Sequence, residues 1–223
     1  MLPSRPYQPV LLRLLHGVIA ILTLLALISG FWVYDTYDQR WGSLRLPQLS
    51  DIQGIHGTIA LTLFLLLPLL VLYSFHLGQR RLIQPQLWQH LKTPSQPIWW
   101  ISLQRLVNTL ILVAATFSVL TGRMMKEEWL PAGEMNHVWY LAHLVGWCIT
   151  LLAVATHLLL GAKVGGVPLL LSMFQWHTQP RDTPQTWLRG IKFNPSRPLL
   201  NAVEWGILGG LLLGLILPVF YLF

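Results

Sequence analysis

The stretch HLVGWCITLLAVATH, residues 143–157, holds no formal charge and has a histidine at each end. Fourteen residues are almost four full helical turns, so His143 and His157 share one helical face. At 1.5 Å per residue they stand roughly 21 Å apart along the axis. A bilayer's hydrocarbon core is about 30 Å thick, so a helix crossing it carries one histidine towards each surface. Polar side chains are expensive at such depths and face the bundle interior for a functional reason.

The rest of the chain has the same character. Of its 223 residues 54% are hydrophobic and 10% charged, against about 25% charged in a soluble domain. Five runs are long enough to span: Val10–Tyr34, Ile52–Leu77, Ile98–Met125, His137–Ala162 and Leu199–Phe223. The runs are continuously apolar rather than alternating, which selects helices over a barrel. The expected fold is an all-α integral membrane protein with five transmembrane helices. Residues 1–163 form a four-helix bundle, 164–198 a basic, proline-rich connector, and 199–223 a fifth transmembrane helix.

Lysine and arginine set the orientation. With the N-terminus cytoplasmic, the inner segments hold Arg5, Arg13, Arg80, Arg81, Lys92, Arg105, Lys163, Arg181, Arg189, Lys192 and Arg197. The outer loops hold only Arg40, Arg45, Arg123 and Lys126. The C-terminus then lies on the opposite side. The net charge of +7 describes a membrane surface that meets anionic lipid, not a nucleic-acid site. The single cysteine, Cys148, permits no intrachain disulfide and reads as a small buried residue. The first apolar run is too long for a cleaved signal and is expected to stay.

Spans one and three share a pattern. Arg13-Leu14-Leu15-His16 leads to Ser29-Gly30, and Arg105-Leu106-Val107-Asn108 leads to Thr121-Gly122, at an offset of 92 residues. Spans two and four align on His56 and His143. The first four helices thus look like two parallel hairpins related by an axis along the membrane normal. Asn108 stands where the first repeat has His16, and Leu70 where the second has His157.

Helical rise sorts four intramembrane histidines by depth. His16 and His157 lie near the inner surface, His56 and His143 near the outer. A planar tetrapyrrole needs two trans axial ligands from facing helices at one height, and neutral imidazole supplies them. Bis-histidine haem b at both levels is the best reading, giving two haems. Gly17, Gly57 and Gly146 lie close to these histidines, where glycine admits either a bulky ring or a neighbouring helix. Zinc would want four ligands at one level, and no C-x-x-C-H site for covalent haem is present. His76, His90, His137 and His177 fall at helix ends or loops and read as interfacial.

The R-x-x-H of span one, the histidine opening span two and the H-x13-H of span four resemble a known superfamily. It comprises the bacterial di-haem transmembrane cytochromes b: the formate dehydrogenase gamma subunit, the nickel–iron hydrogenase cytochrome b subunit and cytochrome b-561 type relatives. The resemblance covers roughly residues 8–163. It implies that His16 pairs with His157 and His56 with His143. It also implies electron transfer between a partner redox protein or donor on one face and membrane quinone near one haem.

Asn108 is then a candidate for a hydrogen bond to a quinone carbonyl, or else an interhelical amide contact. Arg13 and Arg105, one turn from His16 and Asn108, could pair with haem propionates or serve as anchors at the inner surface. A fifth span departs from members that end after four. Its Gly206, Gly210 and Gly214 suit close packing on this bundle or on a partner. Glu204 is expected at the interface, and Thr178–Pro198 as a surface loop able to dock a partner.

Two other functions remain open. One is a stand-alone oxidoreductase that takes electrons from superoxide or another small donor to quinone; Arg123 and Lys126 favour it, and Glu127, Glu128 and Glu134 oppose it. The other is a haem-free scaffold or transporter, which the interfacial tryptophans fit equally well.

Overall fold

A computed structural model describes residues 6–94, 96–189, 191 and 197–221. The helices are α1 (Val10–Tyr37), α2 (Ile52–His76), the single turn α3 (Leu87–His90), α4 (Pro97–Arg123), α5 (Val138–Ser172) and α6 (Pro198–Tyr221). Five of them are long and apolar enough to cross a membrane, and the described residues contain no strand. The chain is an all-helical integral membrane protein. Arg5, Lys192 and Phe223, used above for charge and span, lie outside the described residues.

Lipid tails are as apolar as leucine, so helices associate here through close packing and interhelical hydrogen bonds rather than through escape from water. α1 packs on α2 and α5 on α4, whereas the backbones of α1 and α5 stay apart and meet through Trp147, whose indole donates to the Leu27 carbonyl at 3.0 Å. The two hairpins therefore stand with an opening between their first and last helices. Leu67, Val71, Leu112, Ile207 and Leu211 belong to the main core, where α2, α4 and α6 meet. Gly146 lets α5 close on α4: a Cβ there would lie 3.1 Å from Phe117. Beside it the hydroxyls of Ser118 and Thr150 are 3.2 Å apart.

α6 belongs to this bundle. A Cβ on Gly210 would come within 3.0 Å of Thr116, and one on Gly214 within 3.6 Å of Phe64, while Gly206 faces open space. Two of the three glycines thus pack on this bundle. Glu204 lies in the second turn of α6 and meets the end of α2. Its Oε1 lies 2.8 Å from Nε2 of His76, because α6 leans on α2 and carries the carboxylate across.

The fourth span also differs from expectation. α5 continues past Ala162 to Ser172, broken at Gly166, whose φ of 64° is left-handed. Nothing between His157 and Gly165 stops a helix. Pro168 falls in the first turn beyond the break, where its missing N–H costs nothing. The connector therefore starts about ten residues later than the expected 164.

The side of the bundle that carries the start of α1 is called the near side below, and the other the far side. On the far side Asp35, 3% exposed, accepts hydrogen bonds from the backbone N–H groups of Leu44 at 2.6 Å and Leu46 at 2.8 Å. That pins the loop between α1 and α2. On the near side Asp182 does the corresponding work. It accepts from Tyr7 Oη (2.5 Å), the Val10 backbone (2.7 Å) and Trp187 Nε1 (3.0 Å), tying the connector to the start of α1.

Candidate functional site

The bundle brings four histidines together as two pairs. His16 of α1 faces His157 of α5 on the near side, and His56 of α2 faces His143 of α5 on the far side. Ring centroids are 6.1 Å apart in both pairs. Other ring pairs stand as far apart, Phe31 and Trp147 at 6.2 Å among them, so it is the ligating chemistry of both rings that gives this spacing its meaning. Two imidazoles with nitrogens about 2 Å either side of one metal put their centroids roughly 6 Å apart. Each pair is spaced for a thin, metal-centred group between its rings.

Hydrogen bonds fix which nitrogen is free in three of the four rings. On the far side His56 Nδ1 lies 3.0 Å from Ser29 Oγ. The Ser29 hydroxyl donates to the Leu25 carbonyl at 2.7 Å, so its oxygen accepts and His56 Nδ1 carries the proton. His143 Nδ1 lies 2.9 Å from the Ser118 carbonyl and 3.2 Å from Thr121 Oγ1. A carbonyl only accepts, and Thr121 donates to the Phe117 carbonyl, so this ring too is protonated at Nδ1. On the near side His157 Nδ1 lies 2.8 Å from Asn108 Oδ1. In all three rings the unprotonated Nε2 is left as a metal donor, the arrangement that outer-shell partners impose on ligating histidines.

The far pair opens into a cavity of about 770 Å³, within the range of roughly 300–1,000 Å³ that encloses a small organic ligand. His56, His143, Gly57, Trp147, Arg123 and Lys126 are among the residues that line it. A Cβ on Gly17 or Gly57 would meet nothing within 4 Å, so the backbone beside His16 and His56 is bare. Cys148, read above as buried, is exposed and lines this cavity.

The remaining candidates fall on the near side. Arg13 is 9% exposed. Its Nη2 donates to the His177 carbonyl at 2.9 Å and its guanidinium lies 5.6 Å from the Tyr7 ring centroid. Nε and Nη1 have no hydrogen-bond partner. A buried guanidinium with two unused donors fits an anionic or carbonyl oxygen. Arg105 is half-buried on α4. Asn108 has both ends of its amide engaged, since Nδ2 donates to the Arg81 carbonyl at 2.9 Å. A quinone carbonyl would have to displace that bond.

A family model described as prokaryotic cytochrome b561 matches residues 7–176. The chain belongs to the prokaryotic cytochrome b561 family. Neither a curated protein nor a solved structure matches it. The membership makes it a haem b cytochrome of transmembrane electron transfer, and the match takes in all four paired histidines but not α6. Sequence reasoning missed the hydroxyls that hold the far pair. Ser29-Gly30 and Thr121-Gly122 were visible as a repeat, but not as contacts of His56 and His143.

Proposed function

We propose that this cytochrome carries electrons across the membrane between two bis-histidine haems b, one held by His16 and His157 and the other by His56 and His143. The observation that carries the reading is the repeated 6.1 Å separation of the rings, together with Nδ1–H bonds that turn Nε2 of three rings into a donor. Bound haem supplies one-electron chemistry, alternating between ferric and ferrous iron. The protein holds the rings by fixed imidazoles, excludes water with the surrounding apolar helices, and offers Arg13 to a carboxylate of the near group. Arg105 is assigned to the same near-side carboxylates.

The bias of basic residues puts the near side in the cytoplasm. Quinone is taken to exchange electrons on that side, beside His157. A partner redox protein or subunit meets the far side.

Arg123 and Lys126 line the far cavity, against the single carboxylate of Glu127, and this supports a second reading. Cations at the mouth would draw in a small anionic donor such as superoxide, making the chain a stand-alone oxidoreductase to quinone. Reduction of the purified cytochrome by superoxide, without any partner, would select this reading; no reduction would select the subunit. The two-haem assignment is tested by single substitutions. His56→Ala and His143→Ala should each remove one haem and leave the other, and His16→Ala and His157→Ala should remove its counterpart. A variant that keeps both haems refutes the pairing.

A further inference from the structure

Ser29-Gly30 of α1 and Thr121-Gly122 of α4 occupy equivalent places in the two hairpins, 92 residues apart. Each serine or threonine hydroxyl meets Nδ1 of the far histidine on the following long helix, at 3.0 Å for Ser29 with His56 and 3.2 Å for Thr121 with His143. Each glycine faces the same ring. A Cβ on Gly30 would lie 3.1 Å from His56 Cε1, and one on Gly122 would lie 3.0 Å from His143 Cε1. The hydroxyl thus holds one edge of the imidazole while the glycine leaves room for the ring.

The near side lacks this symmetry. Asn108, in the repeat slot of His16, accepts from His157 Nδ1, and no hydrogen bond to His16 is present among the described residues. One arm of the near pair is supported and the other is not.

We infer that Ser29 and Thr121 are positioning residues of the far redox centre and Asn108 of the near one, each setting the electron donation of the histidine it holds. This rests on the two-haem reading above. A histidine that donates its Nδ1 proton to an acceptor is a more basic ligand, and a more basic ligand favours ferric iron. Removing the acceptor therefore favours the ferrous form and raises the potential of that centre alone. Ser29 is the sole hydrogen-bond partner of His56 among the described residues, whereas His143 keeps the Ser118 carbonyl when Thr121 is lost. The effect at Ser29 is the larger of the two.

The experiment is a potentiometric titration of the haem-loaded protein, followed through both b-type absorbance bands. Ser29→Ala should shift the ferrous-to-ferric ratio of the far centre five- to tenfold, about 40–60 mV upward at 59 mV per decade. Thr121→Val should give a twofold to threefold shift at the same centre. Asn108→Leu should move the near centre and leave the far one in place. Ser29→Thr, which restores an acceptor, should return the wild-type potential. If Ser29→Ala loses the far haem, Ser29→Cys carries the test: its weaker acceptor should still raise the potential. An unshifted far centre, equal shifts at both centres, or no rescue by threonine would overturn the assignment. A wild type holding one haem or none would overturn the two-haem reading, and this assignment with it.

Discussion

Gly122→Ala isolates the packing behind His143. The added methyl carbon would lie 3.0 Å from Cε1 and 3.3 Å from Nδ1 of that ring. Carbon atoms rest comfortably at about 3.5–4.0 Å, so the imidazole must retreat by a few tenths of an ångström. Retreat carries it away from α4, which stretches its bonds to the Ser118 carbonyl and Thr121, now 2.9 and 3.2 Å. Forced insertions into a packed site cost about 1–3 kcal/mol. At 1.4 kcal/mol per decade that weakens haem retention on the far side by about 5- to 140-fold. The assay is haem content per chain after detergent dilution, read by pyridine haemochrome. Gly206→Ala is the control, since its Cβ meets nothing within 4 Å. The far haem should be lost from the Gly122 variant alone and the near one retained. Two haems held as tightly as in the wild type would refute the reasoning.

The other predictions concern the parts around the two pairs. Asp35→Ala removes the acceptor of two backbone N–H groups, at about 1–3 kcal/mol for each one left unsatisfied; it should loosen the far loop and speed reduction of the far centre by dithionite, and an unchanged rate would contradict this. Burial pushes the Asp182 carboxyl up, but its hydrogen bonds from Tyr7, the Val10 backbone and Trp187 outweigh that and hold it below the ordinary carboxylate range. Its contribution is therefore complete above the ordinary carboxylate value and lost as the pH falls through the lowered one. Pepsin should cut the connector only at the acid end of that window, and Asp182→Asn should admit trypsin after Arg189 at neutral pH; a resistant variant would sink the latch. Gly210→Leu, whose first side-chain carbon already reaches 3.0 Å from Thr116, should displace α6 and lower the melting temperature while both haems stay bound. An unchanged melting temperature would place α6 elsewhere.

The spans were legible because each is a long uninterrupted apolar run, and helical rise turned residue numbers into depth. Depth alone was enough to say which histidines could face each other. It carries no information on azimuth, so the contacts across helices were out of reach. Ser29 with His56, Thr121 with His143 and Asn108 with His157 are 27, 22 and 49 residues apart, and only packing shows that they meet. The same limit hid the contact of His76 with Glu204 and the exposure of Cys148, which lines the far cavity. The break at Gly166 was missed for a different reason: apolar residues continue on both sides, so hydropathy marks no boundary there. The repeat did hold a signal. A hydroxyl residue followed by glycine at matching places in two hairpins is a pattern that packing on a ring explains.

The central claim is that two histidine pairs hold two haems at different depths. Haem b per chain in the purified protein, counted by pyridine haemochrome with a reduced-minus-oxidised spectrum, tests it most directly. The account predicts two haems, one lost in His143→Ala and the other lost in His16→Ala. A single haem in the wild type, or a colourless protein, contradicts it.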